Sequence, residues 1–188
     1  MPNMISSYPP SHYFENGYDT TEYGEMIEQR FQTMNAALSR CYEGERYYWL
    51  RFCLIDYLSV GDTTDAIGND LFNALELKGL ITPTDVNLLL EITKLTEVKS
   101  AEDLIRGYMK DNKLQNYDGT MLSDDRKRLF KAMRQVHKDE LKRLISNYKL
   151  KHLNLQNIWD VVFRLEIEEL VKGPNRIKNI HEKLIGNY

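Results

Sequence analysis

The chain has 188 residues, 42 % hydrophobic and 28 % charged, a globular composition sufficient for one or two domains. It contains no run of about 18 apolar residues and no basic start followed by an apolar stretch, which argues against a membrane span and against secretion. Net charge is −3, and the only cysteines, Cys41 and Cys53, fit a reducing compartment such as the cytoplasm better than a disulfide scaffold. The charge is unevenly spread. Residues 1–115 carry 10 Lys/Arg against 18 Asp/Glu, and residues 116–188 carry 15 against 10. An acidic and a basic half are expected to attract each other, or the opposite half of another copy. Chance drift of surface charge is the plain alternative. A surplus of this size is a thin footprint for nucleic-acid binding, so nucleic acid is not expected as a partner.

In chain order, residues 1–24 are rich in Pro, Ser, Asn, Gly and Tyr and predict a disordered tail. Tyr8, Tyr13, Tyr18 and Tyr23 fall five apart, which reads either as a phosphorylation ladder or as coincidence in a Tyr-rich tail. From Met26 the pattern turns helical, with Phe31, Met34 and Leu38 on one face. Residues 45–58 predict a second helix, apolar nearly all round, which is either central to its bundle or partly exposed as a contact surface. Ser59–Thr64 reads as a loop, with a short helix around Thr64–Asn69.

Asp70–Lys78 predicts a helix burying Leu71, Phe72 and Leu75, ended by Gly79 in the left-handed conformation. Thr82, Pro83 and Asp85 read as the N-cap, first position and capping partner of the next helix, whose inner face is Val86, Leu89, Leu90 and Thr93. Ser100 is expected to cap a helix to Met109 with Leu104, Ile105 and Tyr108 inward. This first unit covers residues 25–112, and residues 113–122 read as a polar linker.

Residues 123–188 then repeat the first unit without gaps, 91 positions on. Leu38, Leu50, Tyr57, Ile67, Phe72, Pro83 and Glu91 recur as Leu129, Leu141, Tyr148, Ile158, Phe163, Pro174 and Glu182. Leu54, Leu71, Val86 and Leu89 become Ile145, Val162, Ile177 and Ile180. A shared apolar skeleton predicts two copies of one small fold. No strand pattern occurs, so the expected class is all-α: two antiparallel helical bundles in tandem. Tyr188 corresponds to Glu97, so the second copy is expected to lack its last helix, being either naturally short or cut from a longer protein.

The first copy resembles a death effector domain in three segments. These are Leu50-Arg51-Phe52-Cys53-Leu54-Ile55-Asp56-Tyr57-Leu58, Leu71-Phe72-Asn73-Ala74-Leu75-Glu76-Leu77-Lys78-Gly79-Leu80-Ile81 and Asp85-Val86-Asn87-Leu88-Leu89-Leu90-Glu91-Ile92. Arg128-Leu129-Phe130, Asp139-Glu140-Leu141 and Val162-Phe163 before Gly173-Pro174 carry a weaker likeness in the second copy. The resemblance implies two death-fold bundles that work by protein–protein association, as in initiator-caspase prodomains and FLIP-type caspase regulators. It implies partners that are themselves death effector domain proteins, namely a Fas-associated adaptor or an apical caspase, with self-association possible.

It also implies a contact patch on the second helix at Phe52 and Cys53, where an exposed aromatic could fill a pocket; the alternative is that Phe52 is core. Arg143 and Leu144 hold those positions in the second copy, so the two copies are expected to use different partners. The family's surface charge triad maps onto Asp103-Leu104 with Glu45 or Glu43 as the acidic member. The Arg position is Ala101, and Lys99 or Arg106 could replace it.

No catalytic, metal or cofactor constellation is recognisable. His12, His137, His152 and His181 lack metal-ligand spacing. Cys53 sits inside an apolar helix and reads as packing, and Glu166, Glu168 and Glu169 read as a solvated face. Three functions are carried forward: an interaction module that recruits, activates or inhibits an apical caspase; the prodomain of an initiator caspase whose protease lies downstream; and a nucleic-acid-associated helical protein.

Overall fold

The computed structural model describes residues 20–58, 68–116, 119–150 and 157–167, with Asn179, Ile180 and Glu182. Among them eight helices follow in order: α1 Thr20–Cys41, α2 Glu45–Leu54, α3 Gly68–Leu77, α4 Asn87–Thr96, α5 Lys99–Asp111, α6 Asp124–Met133, α7 Lys138–Asn147 and α8 Ile158–Ile167. The only β pairing among the described residues is an isolated bridge between Thr82 and Asp85, so the class is all-α. No helix among them is long and apolar enough to cross a membrane.

Several helix limits differ from the sequence reading for local reasons. α1 starts at Thr20, inside the stretch expected to be a tail, with Glu22 in its first turn where a carboxylate favours the helix N-terminus. Residues 1–19, the Ser59–Thr64 loop and the Pro174 turn lie outside the described residues. α2 stops at Leu54, and Tyr57 and Leu58 close its end by donating to the Leu54 carbonyl. Thr82 does not begin α4. Its hydroxyl accepts the Asp85 N–H at 3.0 Å as a cap would, but Thr82 and Asp85 also exchange backbone bonds and close a turn. The helix starts at Asn87, whose N–H donates to Asp85 Oδ1 at 3.1 Å. α5 begins at Lys99 after Val98, so Ser100 is not its cap. Ser123 does cap α6, accepting the Arg126 N–H at 3.1 Å. Gly79 ends the turn after α3 at φ 66°. Leu80 and Gly79 donate there to the Leu75 and Glu76 carbonyls, a pattern that favours glycine.

Two helices of the first half keep the repeat spacing in the second. Shifted by the repeat length, α3 lands within one residue of α8, and α2 lands two residues before α7. Leu38 and Leu129, Leu71 and Val162, Phe72 and Phe163, and Leu89 and Ile180 are buried in both copies. Elsewhere the copies part. Leu50 and Leu54 on α2 are fully buried, whereas Leu141 and Ile145 on α7 are half-buried.

The difference follows from packing. α1 lies on α3 and α5, whereas α2 packs on α4 from its own half and on α6 and α8 from the other. Leu50 through Leu54 are all buried, so the all-round apolar helix is central to the molecule. The buried side chains of both halves form one continuous cluster, from Phe31 and Leu38 through Phe52 to Phe130, Trp159 and Ile180. A continuous core couples the halves, so urea or heat should unfold the chain in a single transition, with fluorescence and circular dichroism coincident. Two resolved transitions would contradict this coupling.

Candidate interaction surfaces

The helix-two patch is not exposed. Phe52 is 3 % exposed and Cys53 fully buried. The cover comes from the second half. Phe52 meets Trp159 with ring centroids 5.7 Å apart and Phe130 at 6.2 Å, and Phe130 and Trp159 meet at 5.1 Å. Trp49, one turn earlier, touches the same two rings. The expectation of an outward Phe52 is corrected by this aromatic cluster. In the matching positions of α7, Arg143 is exposed and Leu144 is buried.

Beside the cluster lies a side chain that sequence reasoning missed. Arg126, near the start of α6, is fully buried. Its Nε and Nη2 donate to Asp56 Oδ2 and Oδ1 at 2.9 and 2.6 Å. Nη1 and Nη2 donate to Glu166 Oε1 and Oε2 at 2.8 and 3.1 Å, and the guanidinium lies 4.6 Å from the Phe52 ring centroid. Burial alone would lower the Arg126 pKa; Glu166 and Asp56 more than reverse that, and the result is raised. Glu166 is therefore no part of a solvated face, and Glu168 and Glu169 lie outside the described residues. Arg126, Leu129, Phe130 and Met133 share one helical face, so a charge on an apolar stripe was the available signal.

Two further cations of the second half meet carboxylates of the first: Lys127 with Glu91 at 2.6 Å and Arg134 with Glu97 at 2.7 Å. Glu91 also accepts the N–H groups of Met121 and Leu122 at 2.6 and 3.1 Å, fixing the strand of chain that enters α6. Part of the charge asymmetry is thus engaged within the molecule. Arg51, on the same seam, stacks on Phe163 at 3.2 Å, and burial lowers its pKa.

The charged positions on α5 stay on the surface. Lys99 pairs with Asp103 at 2.9 Å, and Arg106 with Glu102 at 2.7 Å, all within the helix. The Asp103 hydrogen bond and charge raise the pKa of Lys99. Leu104, expected inward, is 37 % exposed beside Asp103, while Ile105 and Tyr108 are buried. Glu43 and Glu45 are exposed at the start of α2. His137 is the residue before α7, where its N–H donates to Glu140 at 2.9 Å; the other three histidines lie outside the described residues. Among the described residues no three His, Cys, Asp or Glu side chains are grouped to hold a metal ion.

Comparison of the chain with family models, with curated proteins and with solved structures finds no match.

Two outcomes follow from this geometry. Truncating Arg126 to Ala removes the cation that answers the buried Glu166 carboxylate and the half-buried Asp56 side chain, and should cost about 3–5 kcal/mol in urea unfolding. Arg126→Lys should recover only part of that, because an ammonium cannot reproduce the paired bonds. A cost below about 1 kcal/mol for Arg126→Ala would deny the bridge its role. Burial pushes the Cys53 thiol up to about 12, while Cys41 is partly exposed. A thiol reagent at pH 8 should therefore label Cys41 in the native protein and both cysteines in urea. Rapid native labelling of Cys53 would show that the α2 seam opens.

Proposed function

We propose that this chain is a non-catalytic protein–protein interaction module built from two bundles of the death effector type, which recruits, activates or inhibits an apical caspase in apoptosis signalling. The observation that carries the reading is the repeated apolar skeleton together with the Leu71–Ile81 segment. That segment has a physical explanation in the structure. Leu71, Phe72, Leu75 and Ile81 are buried, and Gly79 supplies the left-handed turn between them. The spacing of the motif is thus the spacing of a helix, its cap and the return of the chain to the core.

The buried seam moves the proposed contact away from Phe52 and Cys53. The partner surface on this reading is the exposed face of α5, with Asp103 and Leu104 at its centre and Lys99 and Arg106 beside them. Arg143 on α7 offers a separate basic contact. Glu45 belongs to the same reading as an acidic residue on the surface of α2. An effector-domain partner would be held by charge pairing around one modest apolar anchor, an arrangement that gives specificity more than raw affinity.

The test is light scattering or pull-down of the full chain with the effector domain of a Fas-associated adaptor. Binding is expected, and Asp103→Arg or Leu104→Asp should weaken it on the order of tenfold while leaving the fold intact. Phe52→Asp should instead lower the unfolding midpoint, because it buries a charge among aromatic rings. A folded wild-type chain that does not bind the adaptor would overturn the reading.

A further inference from the structure

Four large apolar side chains stand exposed among the described residues, and two of them fall within one turn of α1. Tyr23 is 53 % exposed and Met26 is 37 % exposed, whereas Leu77 and Leu104 stand singly on α3 and α5. This turn is not part of the packed body. Glu22 through Met26 are all exposed, Ile27 is half-buried, and the first fully buried side chain is Phe31. Gln32 then ties the helix to α3, its side-chain amide donating to Glu76 Oε1 at 3.0 Å.

The stretch can leave the helix easily. Unwinding Glu22–Met26 uncovers no buried side chain, and Phe31, Met34 and Leu38 keep the rest of α1 on the core. Gly24 helps, because glycine is a poor helix former, and nothing lies within 4 Å of where its Cβ would be, so packing does not require it. Once extended, Tyr23 and Met26 sit about 10 Å apart along the chain, open to a reader that takes both side chains.

The residue types select the reader. Tyr8, Tyr13, Tyr18 and Tyr23 fall five apart, but the residues three places on are Ser11, Asn16, Thr21 and Met26, so only Tyr23 is followed there by an apolar side chain. Glu22 and Glu25 place carboxylates on either side of its phenol. Transfer of phosphate from ATP balances simply. Tyr23 Oη bonds to the γ-phosphorus, the bond to the β-phosphate oxygen breaks, ADP leaves, and the phenol proton passes to the base of the kinase. The product carries close to two negative charges and three acceptor oxygens, which paired guanidinium donors answer well. Met26, unbranched and adaptable, suits a separate apolar pocket.

We propose that Tyr23 is a tyrosine-phosphorylation site, and that Tyr23-Gly24-Glu25-Met26 in its phosphorylated form recruits an SH2-type domain. The arginine pocket of that domain takes the phosphate, and an apolar pocket takes Met26. The inference is independent of the effector-domain reading, since it uses a stretch outside the packed body of either bundle.

The test uses the full chain carrying Tyr8→Phe, Tyr13→Phe and Tyr18→Phe, a cytosolic tyrosine kinase with ATP, and an SH2 domain that selects Met three residues after phosphotyrosine. Mass spectrometry should place phosphate on Tyr23 of the folded protein. Calorimetry should show the phosphorylated chain binding the domain at least about a hundredfold tighter than the unmodified one. Met26→Asp should still accept phosphate yet bind on the order of tenfold more weakly. Tyr23→Phe should take neither phosphate nor the domain, with circular dichroism unchanged in both variants because neither side chain is buried. A folded chain that takes no phosphate at Tyr23, a phosphorylated chain that the domain ignores, or a Met26→Asp chain that binds as well as its parent would overturn the site.

Discussion

The molecule turns on one buried cation. Arg126 is enclosed between Asp56, Glu166 and the face of Phe52, partners that come from two distant stretches of chain, the end of α2 and α8. A guanidinium removed from water must have its charge and donors answered in fixed directions, and two carboxylates do so here. That requirement orients the start of α6 against the end of α2 and brings α8 alongside. The aromatic cluster of Trp49, Phe52, Phe130 and Trp159 then fills the space beside the ion cluster. The apolar contacts supply most of the stabilisation, and the charged contacts set the register in which they form.

From this seam comes the difference between two sequence-related halves. α2 and α7 occupy equivalent places in the repeat, yet among the described residues α2 is enclosed on both sides and α7 only on one. Leu50 and Leu54 are sealed, while Leu141 and Ile145 keep a share of solvent. The first half yields its helix-two face to the second, and the second keeps its own. The surfaces left open on the two halves are therefore of unlike character. One is the charged flank of α5 and the exposed first turns of α1; the other is the half-buried Leu141 and Ile145 of α7 beside exposed Lys138 and Lys142.

Much of the fold was legible in the sequence because its signals are local. The spacing of Phe31, Met34 and Leu38 and the glycine at position 79 each report on the backbone within a turn or two. The repeat was legible because burial at Leu38, Leu71, Phe72 and Leu89 constrains the matching positions Leu129, Val162, Phe163 and Ile180 in the same way. Thr82-Pro83 misled because a hydroxyl that accepts an N–H three residues on is common to a helix cap and a closed turn. Only the pairing of Thr82 with Asp85 distinguishes the two. Glu166 misled because a carboxylate amid helical acidic residues looks solvated until its partner, 40 positions away, is known.

The sequence by itself determined the helical class, most of the inward faces, the repeated apolar spacing and the unequal charge of the halves. These are properties of residue type and short spacing, repeated often enough to be read without contacts. The tertiary structure alone decided which side of α2 faces water. Phe52 in an apolar helix is equally suited to a core or to a contact surface, and its period does not separate them. What settles its place is the arrival of Phe130, Trp159 and a buried arginine from residues far along the chain, an arrangement set by how the two halves meet.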